Sequence, residues 1–376
     1  PMAVSLSAAS KGESLAQVDT PALILDLDVF QRNCDRLEQA LRGRAIQLRP
    51  HAKSHKCPEI AKRQMARGAV GICCQKVSEA QVFADAGIND ILISNEVVGD
   101  KKIARLCELA KSIRVSVCVD HLENASAINA AALAAGVVIP VLIEVDVGAH
   151  RCGVAPGEPT LALAHAIVQM PGLRFQGLQA YHGPAQHMRT QEERLTAIGR
   201  AIELTKSTRD LLASHGIHCT TIAGAGTGSF LIEAASDLYT ELQVGSYIFM
   251  DADYARNDWQ TSGMPRFEHS LFVWTSVMSV AGDSHVVVDA GLKASSVDSG
   301  MPVVADYPGA KFVKASDEHG VLAVDPKQMS PLPLGTKLKL IPGHCDPTVN
   351  LYNELIVIQN NAVVDIWPIA ARGALL

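Results

Sequence analysis

Residues 45–75 read AIQLRPHAKSHKCPEIAKRQMARGAVGICCQ. A short apolar run, Ala45–Arg49, ends in a loop crowded with cations; a helical stretch, Pro58–Arg67, leads to a second apolar run, Val70–Cys74, closed by Gln75. Glu59 opens the helix with negative charge and Gly68 follows its end, as helix termini prefer. The unit repeats outward. Further runs at Ile91–Ser94, Ile113–Val119, Pro140–Val145, Phe175–Tyr181, Cys219–Ala223 and Gln243–Phe249 alternate with helical candidates such as Val77–Ala86, Asp100–Lys111, His121–Ala135 and Gln191–Ser214. Eight strands with a helix between each pair predict an α/β fold, a (β/α)8 TIM-type barrel. An open doubly wound sheet usually has fewer strands. It would also leave unexplained why each run ends in polar chemistry: Lys53, Gln75, Asn95, Asp120, Asp146 with Arg151, Tyr181-His182, a Gly-rich turn, and Gly245-Ser246-Tyr247. Barrel active sites are assembled at the carboxyl ends of the strands.

After residue 260 helical periodicity nearly vanishes. Ser270–Val280, His285–Val288, Gly320–Val324, Thr336–Ile341, Leu355–Gln359 and Ala362–Trp367 are strand-like, with turn signals at Ala281-Gly282-Asp283 and Pro308-Gly309. They predict a second, mainly β domain. Thr20–Leu27 precedes the barrel count, as an extra strand or part of the β domain, and Val29–Leu41 reads as its following helix.

Composition narrows the function. The chain has 376 residues, 48% hydrophobic and 19% charged, ample apolar material for a core. Its net charge of −6, with no Lys/Arg block, argues against a nucleic-acid partner, whose binding needs clustered positive charge. Nine scattered cysteines with no CxxC argue against a disulfide framework and for a reducing compartment. The longest run free of charge and histidine, Asn124 to Ile143, is interrupted by Asn129, Gly136 and Pro140, so it reads as an Ala-rich helix, a turn and a buried strand rather than a membrane span. PMAVSLSAASKGES, at the start, has no apolar core of a secretion signal. A soluble, cytoplasmic protein is expected.

Three constellations carry chemistry. Arg49-Pro-His-Ala-Lys-Ser-His-Lys56 sets Lys53 among other cations; a partly desolvated lysine there loses basicity, which suits covalent work on carbonyls, while the same loop also suits non-covalent binding of a phosphate or carboxylate. Ala223-Gly-Ala-Gly-Thr-Gly-Ser-Phe230 is neither a Walker nor a Rossmann sequence, but its glycines let backbone N–H groups converge on an anion, and a short helix after Ser229 adds its positive end. Barrel phosphate sites typically follow strands seven and eight, where this loop and Gly245-Ser246 fall. In Pro342-Gly-His-Cys-Asp-Pro347, an extended chain puts His344 and Asp346 on one face and Cys345 on the other, a pair that suits a divalent ion with open positions and is also common in purely structural roles. Asp317-Glu-His-Gly320 is ambiguous in the same way. Tyr181, His182 and His187 are acid/base candidates by residue type, with histidines satisfied by loop backbone as the rival.

Segments 49–59 (RPHAKSHKCPE), 71–79 (GICCQKVSE), 94–98 (SNEVV), 144–154 (EVDVGAHRCGV), 178–183 (LQAYHG) and 343–347 (GHCDP) resemble the D-threonine aldolase family, grouped with alanine racemase and D-serine dehydratase as fold-type III pyridoxal-phosphate enzymes. The resemblance runs from about Asp19 onward. It implies an alanine racemase-like homodimer with a cofactor-binding barrel over residues 28–258 and a β domain, 1–27 with 259–376, carrying the metal ligands. By position, Lys53 would hold pyridoxal 5′-phosphate covalently. Thr227, Gly228, Ser229, Gly245 and Ser246 would cradle its phosphate, with Tyr247 in the same segment. Gln243 falls where alanine racemase has an arginine against the pyridine nitrogen; Arg151 would lie near the phenol oxygen, and Gln75 and Tyr181 would line the cofactor. His344 and Asp346 match the metal ligands and His187 the proposed base.

The implied reaction is cleavage of a D-β-hydroxy-α-amino acid, of the D-threonine or 3-hydroxy-D-aspartate type, to glycine and an aldehyde. A β-carboxylate would want an extra cation, for which His55, Lys56 and Arg189 are available. In the related dehydratases of D-serine or 3-hydroxyaspartate the second metal ligand is cysteine, which suits zinc; Asp346 favours manganese or magnesium and the aldolase. A racemase needs no hydroxyl-binding metal. A non-catalytic pyridoxal-phosphate-binding protein usually lacks the β domain, and a metal-only hydrolase would not be yellow.

Overall fold

The computed structural model describes residues 6–260 and 263–376. Residues 1–5 and 261–262, which fall in the stretches expected to form the β domain, lie outside the described residues. The chain opens with β1 (Ala22–Asp26) and α1 (Leu27–Leu41). Strand–helix units follow: β2 (Gln47–Leu48), α2 (Pro58–Ala66), β3 (Ile72–Cys74), α3 (Val77–Asp85), β4 (Asp90–Glu96), α4 (Asp100–Leu109), β5 (Arg114–Val119) and α5 (Leu122–Ala135). They continue through β6 (Ile139–Glu144), α6 (Glu158–Val168), β7 (Leu173–Gln179), α7 (Gln191–Ser214), β8 (Thr221–Gly224), α8 (Phe230–Ala234), β9 (Glu241–Leu242) and α9 (Ala252–Ala255).

β2 to β9 form one parallel sheet in the order β2-β9-β8-β7-β6-β5-β4-β3. It curls until its two edges meet. A parallel bridge pairs His51 with Cys73, and Val70 N and Cys73 N donate to Leu48 O at 3.0 Å and Pro50 O at 2.9 Å. The fold is therefore the expected barrel. Helix faces bearing Ile60, Phe83, Ile103, Ile128, Leu161 and Ile167 pack on its outside. Alternation along the strands sends every second residue inward. Cys73, Leu92, Cys118, Leu142 and Ala223 form a separate small apolar cluster there.

At the amino-terminal end of the barrel, Arg49 is buried with its Nε 2.9 Å from Glu241 and an NH1 2.8 Å from Asp90. By sequence Arg49 belongs with the cations of the loop that bears Lys53. The structure points it away from Lys53, into the barrel floor.

The remaining strands are β10 (Leu271–Ser279), β11 (His285–Val288), β12 (Val303–Val304), β13 (Ala310–Ala315), β14 (Gly320–Val324) and β15 (Lys337–Ile341), then α10 (Cys345–Val349), β16 (Glu354–Gln359) and β17 (Ala362–Pro368). They make a second, mainly antiparallel sheet ordered β13-β14-β11-β10-β1-β16-β17, with β15 on β10 and β12 on β15. β1 is an inner strand of this sheet, Ile24 lying between Phe272 and Ile356, which settles the choice left open for Thr20–Leu27. β12 and β13 escape a sequence reading; in β13 only Phe312 is buried while Val313 is exposed, so alternation is weak.

Two local expectations need correction. The run Gln243–Phe249 is not a regular strand: the ladder ends at Leu242, and after Gly245 residues Ser246–Ile248 form a 3-10 turn. Val244, Tyr247, Ile248 and Phe249 are all buried, so apolarity could not distinguish turn from strand. Cys345–Val349 is helical rather than extended, with His344 at its N-cap; Pro347 sits in the first turn, where a missing N–H costs nothing.

Arg49→Ala would leave the Glu241 carboxylate buried without its main partner. We expect a loss of about 3–5 kcal/mol of folding stability, read by urea unfolding of the cofactor-free protein; an unchanged midpoint would show that the barrel floor does not need this pair.

Candidate active site

At the carboxyl ends of the barrel strands a cavity opens, lined by residues that follow strands of both sheets. Lys53 enters it from the 3-10 turn Ala52–Ser54 that follows β2, its Nζ 4.0 Å from Asp346 Oδ2. His51 caps that turn, its Nδ1 3.3 Å from Lys53 N and its Nε2 2.9 Å from Gln75 Nε2 and 3.2 Å from Ser94 Oγ. Burial first, then Lys53, His55 and Arg151, hold His51 well below the usual histidine value, so it is neutral. Lys53 behaves otherwise than its cationic loop predicts. Burial works against its ammonium, but Asp346 and Tyr181 outweigh burial and Arg151, and the amine stays above its usual value.

The inner wall is a ring of polar residues one inward step beyond the apolar cluster. Gln75, Ser94, Glu144, Gln179 and Gln243 come from β3, β4, β6, β7 and β9 or their ends. Gln243 and Gln179 exchange amide hydrogen bonds of 2.8 and 2.7 Å, so Gln243 faces the cavity as a neutral, fixed group. Burial, reinforced by Glu96, pushes Glu144 up to about 9. Arg151 and Tyr181 also line the cavity, and both follow strand ends.

The glycine-rich loop is shared between two tasks. Ala225, Gly226 and Thr227 line the cavity, and the Thr227 hydroxyl is buried with no partner. Gly228 and Ser229 turn away. Gly228 N donates to Gln186 Oε1 at 2.9 Å, and Gln186 Nε2 donates to Ser229 Oγ at 2.8 Å. A Cβ on Gly228 would lie 2.6 Å from the Gln186 carbonyl oxygen, so this contact requires glycine. Gly245 and Ser246 share the lining with Thr227. Tyr247 is outside it, buried, its hydroxyl accepting from Gln64 Nε2 at 3.1 Å. Gln186 lies outside the segments that carry the family resemblance; Ser94, Glu144 and Gln179 lie inside them but receive no site role from sequence, because a lone hydroxyl, amide or carboxylate near a strand end is ordinary.

His187, His344, Asp346 and Tyr254 complete the mouth. His344 Nδ1 lies 2.8 Å from Asp298 Oδ2, leaving Nε2 as its free donor atom. Cys345 is buried outside the lining, its Sγ 3.2 Å from Asp346 Oδ1 and 3.6 Å from Ser246 Oγ. His182 does not line the cavity; its Nδ1 accepts from Ala185 N. Nor do the three cations considered for a β-carboxylate. His55 is buried, Lys56 is buried 3.2 Å from Glu79, and Arg189 is bound to Asp253 at 2.6 Å. Among the described residues, the group of three metal-type ligands that comes together is Glu96, Asp120 and Cys152, whose ligand atoms lie within 4.8 Å of one another.

The family model "Alanine racemase, N-terminal domain" matches residues 25–253, and "Putative serine dehydratase domain" matches 270–358. The chain is 50% identical to a D-threonine aldolase of Arthrobacter sp. over 97% of its length and 96% of that protein. It belongs to the D-threonine aldolase family of fold-type III pyridoxal-phosphate enzymes. A 3-hydroxy-D-aspartate aldolase of Paracoccus denitrificans (strain Pd 1222) is 43% identical over 96% of this chain and 94% of its own. The crystal structure of a D-threonine aldolase from Filomicrobium marinum superposes with a TM-score of 0.96 at 48% identity, covering 98% of this chain and 100% of that one. A D-threo-3-hydroxyaspartate dehydratase of Delftia sp. is a more distant relative. Among the described residues no helix is long and apolar enough to cross a membrane, and the nine cysteines are free thiols.

A carboxyl whose pKa is raised on folding costs stability as pH climbs above its unfolded value. For Glu144 that window runs from about 4.5 to about 9. Glu144→Gln in the cofactor-free protein should therefore gain on the unsubstituted chain between pH 5 and pH 8 in urea unfolding; a pH-independent difference would show that Glu144 is already ionised.

Proposed function

We infer that this chain is a carbon–carbon lyase that cleaves D-β-hydroxy-α-amino acids to glycine and an aldehyde. The observation that carries the reading is one cavity holding a lysine amine 4.0 Å from the carboxylate of a His344/Asp346 pair, with His187 in the same lining. The site fits the family's cofactor. Thr227 presents a buried hydroxyl without a partner, beside Gly226, Gly245 and Ser246, to an anionic group. It also fits a divalent cation: imidazole and carboxylate supply two donors and leave the other positions to water and substrate.

Pyridoxal phosphate, when bound, supplies an electron sink for the pair released by the Cα–Cβ bond. A divalent cation, manganese or magnesium on this donor set, supplies Lewis acidity at the substrate hydroxyl. The chain's own residues do the rest. Lys53 would carry the cofactor and Thr227 and Ser246 would hold its phosphate, with Gly228 and Ser229 shaping that loop through Gln186. Gln75, Arg151, Tyr181 and Gln243 would hold its ring, and at the position of Gln243 the chain offers a neutral amide rather than a charged group. His344 and Asp346 hold the cation. His187 takes the β-hydroxyl proton at its free ring nitrogen, the aldehyde carbonyl forms as the carbon–carbon bond breaks, and a proton is returned to Cα to give glycine.

The preferred side chain follows from the same lining. The lysine and arginine of that lining are Lys53 and Arg151, each already given a task, so we propose a neutral β-substituent of the D-threonine type over a β-carboxylate. We further propose a cytoplasmic homodimer with a barrel domain over 28–258 and a β domain from 1–27 and 259–376.

Lys53→Ala should lose both the visible absorbance of the linked cofactor and all turnover; a yellow, active variant would remove the lysine from its role. Chelation should stop cleavage of D-threonine, and manganese or magnesium should restore it, while the absorbance persists. Full activity in EDTA with no metal by elemental analysis would sink the cation's role, and ammonia plus a keto acid in place of glycine plus aldehyde would mark a dehydratase.

A further inference from the structure

Behind His187 stands a carboxylate with no part in the reaction above. Asp253, on α9, is 5% exposed, and both its oxygens are taken. Oδ2 accepts from His187 Nδ1, while Oδ1 accepts from Arg189 NH2 at 2.6 Å and Arg256 NH2 at 2.8 Å. Against the cost of burial, the hydrogen bonds of His187 and Arg189 hold Asp253 well below the usual carboxylate range. The imidazole leans on the Tyr254 ring, centroids 5.2 Å apart, so its plane is set as well.

We propose that Asp253 is the positioning residue for His187, fixing the proton on Nδ1 so that Nε2 meets the substrate hydroxyl as a lone pair. The proposal rests on the reading of His187 as the base. A neutral imidazole carries one proton, and a carboxylate can only accept; with Asp253 on Nδ1, the proton must sit there and Nε2 must be the acceptor. The two arginines make the arrangement rigid. Arg189 also binds Asn257 Oδ1 at 2.8 Å and the Asp253 carbonyl at 2.9 Å. Arg256 reaches on to the Ser299 carbonyl at 2.5 Å, beside Asp298, the carboxylate on His344. One guanidinium thus ties the acid that orients the base to the loop that orients the cation's histidine.

Asp253→Asn tests this with a built-in direction. Two guanidiniums still demand an oxygen at the Oδ1 position, so the amide NH2 must face His187 and donate to Nδ1. The proton then moves to Nε2, where it blocks proton uptake. We expect kcat for D-threonine cleavage to fall about 100-fold or more, as for a wrong tautomer elsewhere, with KM within about twofold. In a His187→Ala background the same substitution should change nothing beyond about twofold. Independently, 15N-histidine NMR of the unsubstituted, cofactor-free protein should show a pyrrole-type Nδ1 and a pyridine-type Nε2 for the resonance that His187→Asn removes.

An Nε2-protonated ring in the unsubstituted protein overturns the proposal whether or not the Asp253 variant folds. So does an equal loss from Asp253→Asn with and without His187. If His187→Ala keeps full turnover, the base assignment itself falls, a separate failure that the variant alone reveals.

Discussion

The barrel closes on two-residue and three-residue strands, the shortest interactions in its parallel sheet, and what holds that seam is a buried guanidinium. Arg49 is bonded to Glu241 on β9 and to Asp90 on β4, and so spans the line where β2 meets β3. The backbone around it adds only the His51–Cys73 bridge and its neighbouring hydrogen bonds. A buried ion pair stabilises little against a hydrophobic substitute, but removing one partner is expensive. The seam matters because Lys53 leaves it four residues later, through a single 3-10 turn.

Above that floor the barrel interior changes character in steps of two residues. Cys73, Leu92, Cys118, Leu142 and Ala223 are apolar and small enough to fill the lumen. One inward position further, Gln75, Ser94, Glu144 and, on β8's neighbour, Gln243 meet the cavity. Gln243, Gln75 and Ser94 are held by bonds sideways: Gln243 to Gln179, Gln75 to Ser94 and His51. A preorganised polar wall does not have to reorganise when charge develops beside it. The mouth obeys the same rule, with His187 held by Asp253 and His344 by Asp298.

The two sheets contribute unequally to the chemistry. The barrel supplies the amine, the anion loop and the base; the second sheet supplies His344 and Asp346 from the turn after β15, in contact with the turn that bears Lys53. Gly343 packs so closely there that a Cβ would lie 2.1 Å from the Gly300 carbonyl oxygen, which pins the Asp298–Ser299 loop against the His344 turn. A cavity with donors from two sheets can bind a reacting group on one side and polarise it from the other.

Much of this was written in the order of residues. Periodicity alone separates β3, α3, β4, α4 and α5 from one another, since 3.6-residue and two-residue patterns follow from which face each element buries. It also places Lys53, Gln75, Arg151 and Thr227 at strand ends, all of which line the cavity. Where apolar residues are buried on both sides of a turn the pattern fails: Val244, Tyr247, Ile248 and Phe249 are all buried around Gly245-Ser246, so a 3-10 turn looks like a strand. Which polar groups face one another was not legible at all. Arg49 and Lys53 share a loop but point to opposite ends of the barrel; Gly228 and Thr227 are neighbours but serve Gln186 and the cavity respectively. Asp253 meets His187 across 66 residues. Sequence decides what each segment must bury; only the closed barrel decides which charges and hydrogen bonds become partners, because that depends on distances between strands that local chemistry does not encode.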